Sequence, residues 1–206
     1  MLYKNPCIGL GMSFIRSFIA IEIENEATLK NIIELKHELE NLELDAKFVE
    51  NENIHLTIRF LGEVSMNTIE QIREVLNYVA NNVKPFEIRI AGLGAFPNIN
   101  KPRVIWVGIV SGFEKLMEIR RGIDLEIVKK GLRDVQKDQH EFSPHITIAR
   151  LKSYKNVEKL KRYFLMYENY EFGFSEVTQI KLKKSILTPR GPIYSDIYVA
   201  RLQKPS

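Results

Sequence analysis

Two stretches of this 206-residue chain repeat one pattern 90 positions apart: Ile54-His55-Leu56-Thr57-Ile58-Arg59-Phe60 and Pro144-His145-Ile146-Thr147-Ile148-Ala149-Arg150. Successive side chains of a strand point to opposite faces. His55 and Thr57 therefore share a face opposite Leu56 and Ile58, and His145 and Thr147 share one opposite Ile146 and Ile148. One face of each strand suits packing and the other is left polar. A chain that does this twice predicts two similar lobes, with equivalent strands facing each other across a cleft if a pseudo-two-fold axis relates them.

The surrounding pattern interleaves strands and helices. Residues 16–24 alternate as a strand, and a helix follows to about residue 43, with Leu29, Ile32, Ile33, Leu35 and Leu39 at helical spacing. Residues 54–61 form the next strand. Residues 68–83 form a helix with Ile69, Ile72, Val75, Leu76 and Val79 along one face. Residues 85–93 and 103–110 read as strands around a turn-rich loop, 94–102. Ser111 and Glu114 have the spacing of a capping box, opening a helix that ends about residue 130, before Gly131. A strand at 145–151, a short helix at 156–166, and strands within 170–187 and 192–202 complete the chain. Such interleaving indicates an α+β or α/β domain.

Composition narrows the setting. Hydrophobic residues at 45% and charged residues at 27% are ordinary for a globular fold, and no run of eighteen apolar residues suggests a membrane span. A cytoplasmic protein is expected. Residues 1–11 read as a loosely attached extension rather than an export signal, leaving 12–206 as one domain. The single cysteine, Cys7, allows no internal disulfide and no cysteine metal site. A net charge of +4 favours an anionic partner if the cations gather around a groove.

Two imidazoles and two hydroxyls in one cleft suit in-line displacement at a phosphodiester. One histidine takes a proton from water and the other gives one to the departing sugar oxygen, with no metal required. Thr57 and Thr147 are placed to donate to the non-bridging phosphate oxygens, and an arginine would add a two-pronged cation. Regular alternation puts Arg59 on the histidine face and Arg150 on the other, and a bulge after Ile148 would reverse the latter. His37 and His140 sit in polar surroundings and form no metal spacing with the others. Phe96 and Phe142 could stack on a base or pack a loop. Tyr194 reads as structural and Trp106 as packing.

The chain resembles the two-histidine phosphoesterases, specifically the RNA 2′,3′-cyclic phosphodiesterases also called 2′-5′ RNA ligases. The resemblance rests on both His-x-Thr segments, on Ser17-Phe18-Ile19-Ala20-Ile21, on Gly92-Leu93-Gly94-Ala95-Phe96-Pro97 and on Pro102-Arg103-Val104-Ile105-Trp106-Val107-Gly108. It closes with Ser185-Ile186-Leu187 and Gly191-Pro192-Ile193-Tyr194, so that it covers nearly everything after Met12. It implies a bilobal α+β fold, with antiparallel sheets facing a central groove and helices outside. It also implies hydrolysis of RNA 2′,3′-cyclic ends to 2′-phosphates, with reversible joining of tRNA halves. His55 would be the proton donor and His145 the acceptor; no cofactor or metal is expected, and the protein is expected to be a monomer. The resemblance carries Arg150 over as the phosphate-binding arginine, with Arg59 second. Two alternatives stay open: a cyclic phosphodiesterase for small nucleotides, and a non-catalytic RNA-binding module.

Overall fold

The computed structural model describes residues 14–138, 141–189 and 191–203. The extension at 1–11, Cys7 and His140 lie outside the described residues. The strands are β1 (Phe14–Glu22), β2 (Ala46–Phe48), β3 (His55–Ser65), β4 (Phe86–Phe96), β5 (Val104–Ser111), β6 (His145–Leu151), β7 (Glu171–Val177), β8 (Gln179–Thr188) and β9 (Gly191–Arg201). The helices are α1 (Glu26–Glu40), α2 (Met66–Asn82), α3 (Phe113–Lys129) and α4 (Leu160–Met166).

All described strand pairs are antiparallel, in the order β7-β4-β5-β6-β3-β1-β8-β9, with short β2 beside β6. The two histidine strands thus lie at the centre, each backed by three strands of its own half. They touch through a single residue pair, Leu56 with Ile146. Both of these side chains are fully buried. Opposed residues in an antiparallel pair project to the same face, so the apolar pair faces the core and the flanking histidines and threonines face the other way.

That core is one cluster joining the two halves. Ile19, Ile21, Leu56, Ile58, Ile146 and Ile148 pack with Ile32, Leu35 and Leu39 of α1, Ile69, Ile72 and Leu76 of α2, and Leu116, Ile119 and Ile123 of α3. Each fully buried Ile or Leu contributes about 1.5–3 kcal/mol. α1 crosses to the far half, where Thr28 and Asn31 hold the Phe174 and Phe172 carbonyls of β7 at 2.7 and 2.8 Å.

Several boundaries differ from the sequence expectation, β3 running on to Ser65 among them. The run Gly94-Ala95-Phe96 belongs to β4, not to a loop, because the Trp106 ring of β5 lies across Gly94: a Cβ there would stand 2.2 Å from Trp106 Cη2. The capping box at Ser111 does not form. Ser111 ends β5, and Gly112 at φ 83° is the N-cap of α3 without a side-chain bond. Residues 170–188 make two strands, since the chain crosses at Thr178 from the β7 edge to the other half. Among the described residues, no helix is long and apolar enough to cross a membrane.

Candidate active site

Antiparallel pairing at Leu56 and Ile146 sets His55 beside Thr147 and Thr57 beside His145. The four polar side chains form the floor of a groove with two connected cavities, of about 440 and 660 Å³. The first holds His55 and the second His145, and Thr57, Thr147, Arg150 and Phe60 line both.

Each imidazole is held in the same way. His55 Nδ1 lies 2.7 Å from the Asn53 carbonyl, and His145 Nδ1 lies 2.7 Å from that of Ser143. A carbonyl only accepts, so Nδ1 carries the hydrogen and Nε2 is the atom free for chemistry. Thr57 Oγ1 lies 2.9 Å from His55 Nε2 and donates to it. Burial brings the His55 pKa down to about 4, aided by the Lys183 and Arg150 charges and opposed by the Asn53 carbonyl and Glu22. His145 is lowered as well, by burial first and then by Arg150. Aromatic rings box both: Phe18 at 5.1 Å and Tyr194 at 5.6 Å from His55, Phe96 at 4.9 Å from His145.

The arginines are sorted by a feature the sequence does not show. β1 pairs Ala20 with Thr57 and Ile19 with Arg59, leaving Ile58 as one extra residue on β3. β5 pairs Trp106 with Thr147 and Ile105 with Ala149, leaving Ile148 as the same extra residue on β6. A bulge of one residue reverses the alternation beyond it. Arg150 therefore turns into the groove, where its charge reaches both histidines. Arg59 turns the other way, correcting the position that regular alternation gives it. It is 7% exposed, pairs with Asp124 at 3.0 Å and with Asp138, and donates to the Gln136 carbonyl at 2.7 Å.

The remaining sequence candidates divide. Tyr194 lines the His55 cavity, and Phe96 and Phe142 line the His145 cavity. His37 lies on α1, bonded to Glu40 at 2.8 Å and half exposed. Trp106 packs against Phe96 and over Gly94. Asn53 went unnoticed in the sequence, although it both holds His55 and ties the β8–β9 hairpin by donating to the Pro192 carbonyl at 3.0 Å. Its signal is positional: it stands two residues before the histidine, as Ser143 does before His145. Among the described residues, no three His, Cys, Asp or Glu side chains gather as a metal site.

Fold and groove together define an enzyme-like α+β protein with two histidines on one floor, and comparison with known proteins places it further. The family model for the AKAP7 2′5′ RNA ligase-like domain matches residues 17–196, and the chain belongs to that family. It is 35% identical over 188 residues to the RNA 2′,3′-cyclic phosphodiesterase of Methanothermobacter thermautotrophicus, covering 91% of this chain and 99% of that one. It is 42% identical over 151 residues to the protein of the same name from Methanocaldococcus jannaschii, covering 73% and 82%. The crystal structure of TT0787 of Thermus thermophilus superposes with a TM-score of 0.76 at 26% identity, over 93% of this chain and all of that one.

Proposed function

We infer that this chain hydrolyses RNA 2′,3′-cyclic phosphate ends to 2′-phosphomonoesters by general acid and base catalysis from two histidines. The observation that carries the reading is the matched pair of Nδ1–carbonyl contacts, which leaves each Nε2 for the groove, with Arg150 lining both of its cavities. The RNA 2′,3′-cyclic phosphodiesterases to which the chain is 35% and 42% identical support the substrate class.

Arg150 pairs with the phosphate, and Thr57 and Thr147 donate to its non-bridging oxygens. Neutral His145 takes a proton at Nε2 from water as the water oxygen bonds to phosphorus. The P–O3′ bond breaks in line, and protonated His55 gives its Nε2 proton to O3′, leaving a 2′-phosphate and a 3′-hydroxyl. Before substrate binds, His55 is neutral near pH 7. The bound phosphate supplies the negative charge that offsets Arg150 and Lys183, raising its pKa toward the working range. Solvent exchange then returns His145 to neutrality. No step draws on a metal.

The cavity on the His145 side is larger than a water needs, at about 660 Å³, and is lined by Phe96, Pro97 and Phe142. An RNA hydroxyl can take the place of water there, which is the 2′-5′ joining reaction. RNA ends, tRNA halves among them, are thus the partners of this reading. The protein acts in the cytoplasm as a monomer, because one chain supplies every group of the site, and residues 12–206 form its single catalytic domain.

The test is turnover of an RNA oligomer with a 2′,3′-cyclic end, with and without chelator, alongside nucleoside 2′,3′-cyclic phosphates. Release of a 2′-phosphate in chelator, with the oligomer favoured, is expected. Preference for the mononucleotide would instead identify a small-nucleotide enzyme. Oligomer binding without hydrolysis would identify an RNA-binding module.

A further inference from the structure

The His55 cavity carries charge that the hydrolysis does not use. Arg16 of β1 and Lys137, in the segment between α3 and β6, line it together with His55 and Arg150. Both side chains are exposed, and neither makes an ion pair among the described residues. Glu63 stands across from Arg16 in the β1–β3 register without pairing with it, and Asp138, next to Lys137, is taken by Arg59 and Arg120. Two uncommitted cations thus remain in a cavity that already holds one arginine for a phosphate.

A glycine brings them to one place. Gly62 of β3 pairs with Ser17, the neighbour of Arg16, and has φ 80°. A Cβ on it would stand 3.0 Å from Gln136 Cβ, and the Gln136 N–H donates to the Leu61 carbonyl at 2.8 Å, so the chain lies directly on β3 there. Lys137 is the next residue. Tyr194 links this corner to the reacting centre: burial raises its pKa, and the charges of Arg150 and Arg16 both oppose the rise, so its hydroxyl lies within reach of both arginines.

We propose that Arg16 and Lys137 form a subsite for the phosphodiester that precedes the cyclic end, one nucleotide back along the RNA. The proposal rests on the hydrolysis inferred above. There O3′ departs toward His55, so the ribose lies on the His55 side, and its 5′ oxygen, which carries the rest of the RNA, leads out through this cavity. The next anion on that path is a second phosphate, and a guanidinium fork with an ammonium suits it. Arg150 holds the phosphate that reacts; Arg16 and Lys137 hold one that does not. The cavity thereby favours the end of an RNA chain over a lone nucleoside cyclic phosphate, by charge and not by base.

The experiment compares adenosine 2′,3′-cyclic phosphate with the same compound carrying a methyl phosphodiester at its 5′ oxygen, in wild type, Arg16→Gln and Lys137→Gln. Wild type favours the 5′-diester in kcat/KM, mainly through KM. That preference shrinks about fivefold or more in Arg16→Gln and by less in Lys137→Gln, and in wild type it fades as salt rises. No preference in wild type, or an unaltered ratio in either variant, overturns the proposal. A merely structural role would slow both substrates alike and leave the ratio unaltered. Calorimetry is a second readout, independent of turnover: wild type binds adenosine 2′,5′-bisphosphate more tightly than adenosine 2′-monophosphate, and Arg16→Gln loses the margin. Equal affinities in wild type also overturn it. If wild type turned over neither cyclic phosphate, the hydrolysis reading would fail, and the calorimetry alone would decide the subsite.

Discussion

In β3 the bulge carbonyl of Ile58 accepts from the Arg120 guanidinium at 3.1 Å, within a set of two arginines and two aspartates. In β6 the matching carbonyl of Ile148 accepts the Val49 backbone N–H at 2.8 Å, next to β2. A buried carbonyl needs a donor, and the two halves found different ones. Their outward residues differ as well: the first half presents Phe60 to the groove and keeps its arginine behind the sheet, whereas the second presents Arg150 and keeps Ala149 there. A duplicated strand geometry can thus carry unequal chemistry, because the bulge fixes direction and leaves identity free.

The inequality is broken most severely at the histidines. His55→Ala and His145→Ala should each lower turnover of a cyclic phosphate by about 10² to 10⁴. A phosphodiester with a nitrophenol leaving group separates the roles. His55→Ala should recover much of its loss on that substrate, which needs no acid, while His145→Ala should not. Equal losses on it would remove the division into acid and base.

The arginines give the next contrast. Arg59→Gln removes one of the two arginines that Asp124 and Asp138 share, leaving them Arg120 alone, and should cost about 1–3 kcal/mol of stability by denaturant melt. Arg150→Gln should leave the melt nearly unchanged and lower kcat/KM by about tenfold or more, the worth of one charge-assisted hydrogen-bonded pair. Reversal of the two phenotypes would mean that the bulges do not sort the arginines. Thr57→Val and Thr147→Val should each lower kcat by roughly tenfold with KM little altered, one hydroxyl donor being worth about 1–3 kcal/mol. Normal kcat in both would deny the hydroxyls a transition-state role.

The smallest effect concerns pH. Below about 6.5 the unfolded chain takes up a proton that folded His55 refuses until about pH 4, so folding stability falls as pH drops across that window. His145 acts in the same direction. Melting temperature followed from pH 7 to 4 should fall less steeply in His55→Asn than in wild type. An identical slope would remove the buried-neutral description of His55.

Alternation in residues 54–58 and 144–148 was enough to place both histidines and threonines on polar faces, and helical spacing located α1, α2 and α3 within a few residues. These are short-range properties, set by period two in a strand and about 3.6 in a helix. The segments Gly92–Pro97 and Pro102–Gly108 were legible as a family signature, but the reason for Gly94 was not, since the Trp106 ring above it belongs to another strand. The direction of Arg59 and Arg150 was equally hidden. A bulge at an isoleucine carries no turn residue to announce it, and its existence depends on which strand pairs where and which donor reaches the spare carbonyl.

The sequence by itself determined the two polar strand faces, the apolar faces that pair them and the helices that cover the core. Tertiary structure alone decided that the faces meet through Leu56 and Ile146, that both imidazoles hold their Nδ1 hydrogens on carbonyls, and that Arg150 and Phe60 turn inward together. Periodicity is written in neighbouring residues, whereas bulge and register are settled between strands some 40 to 90 residues apart in the chain.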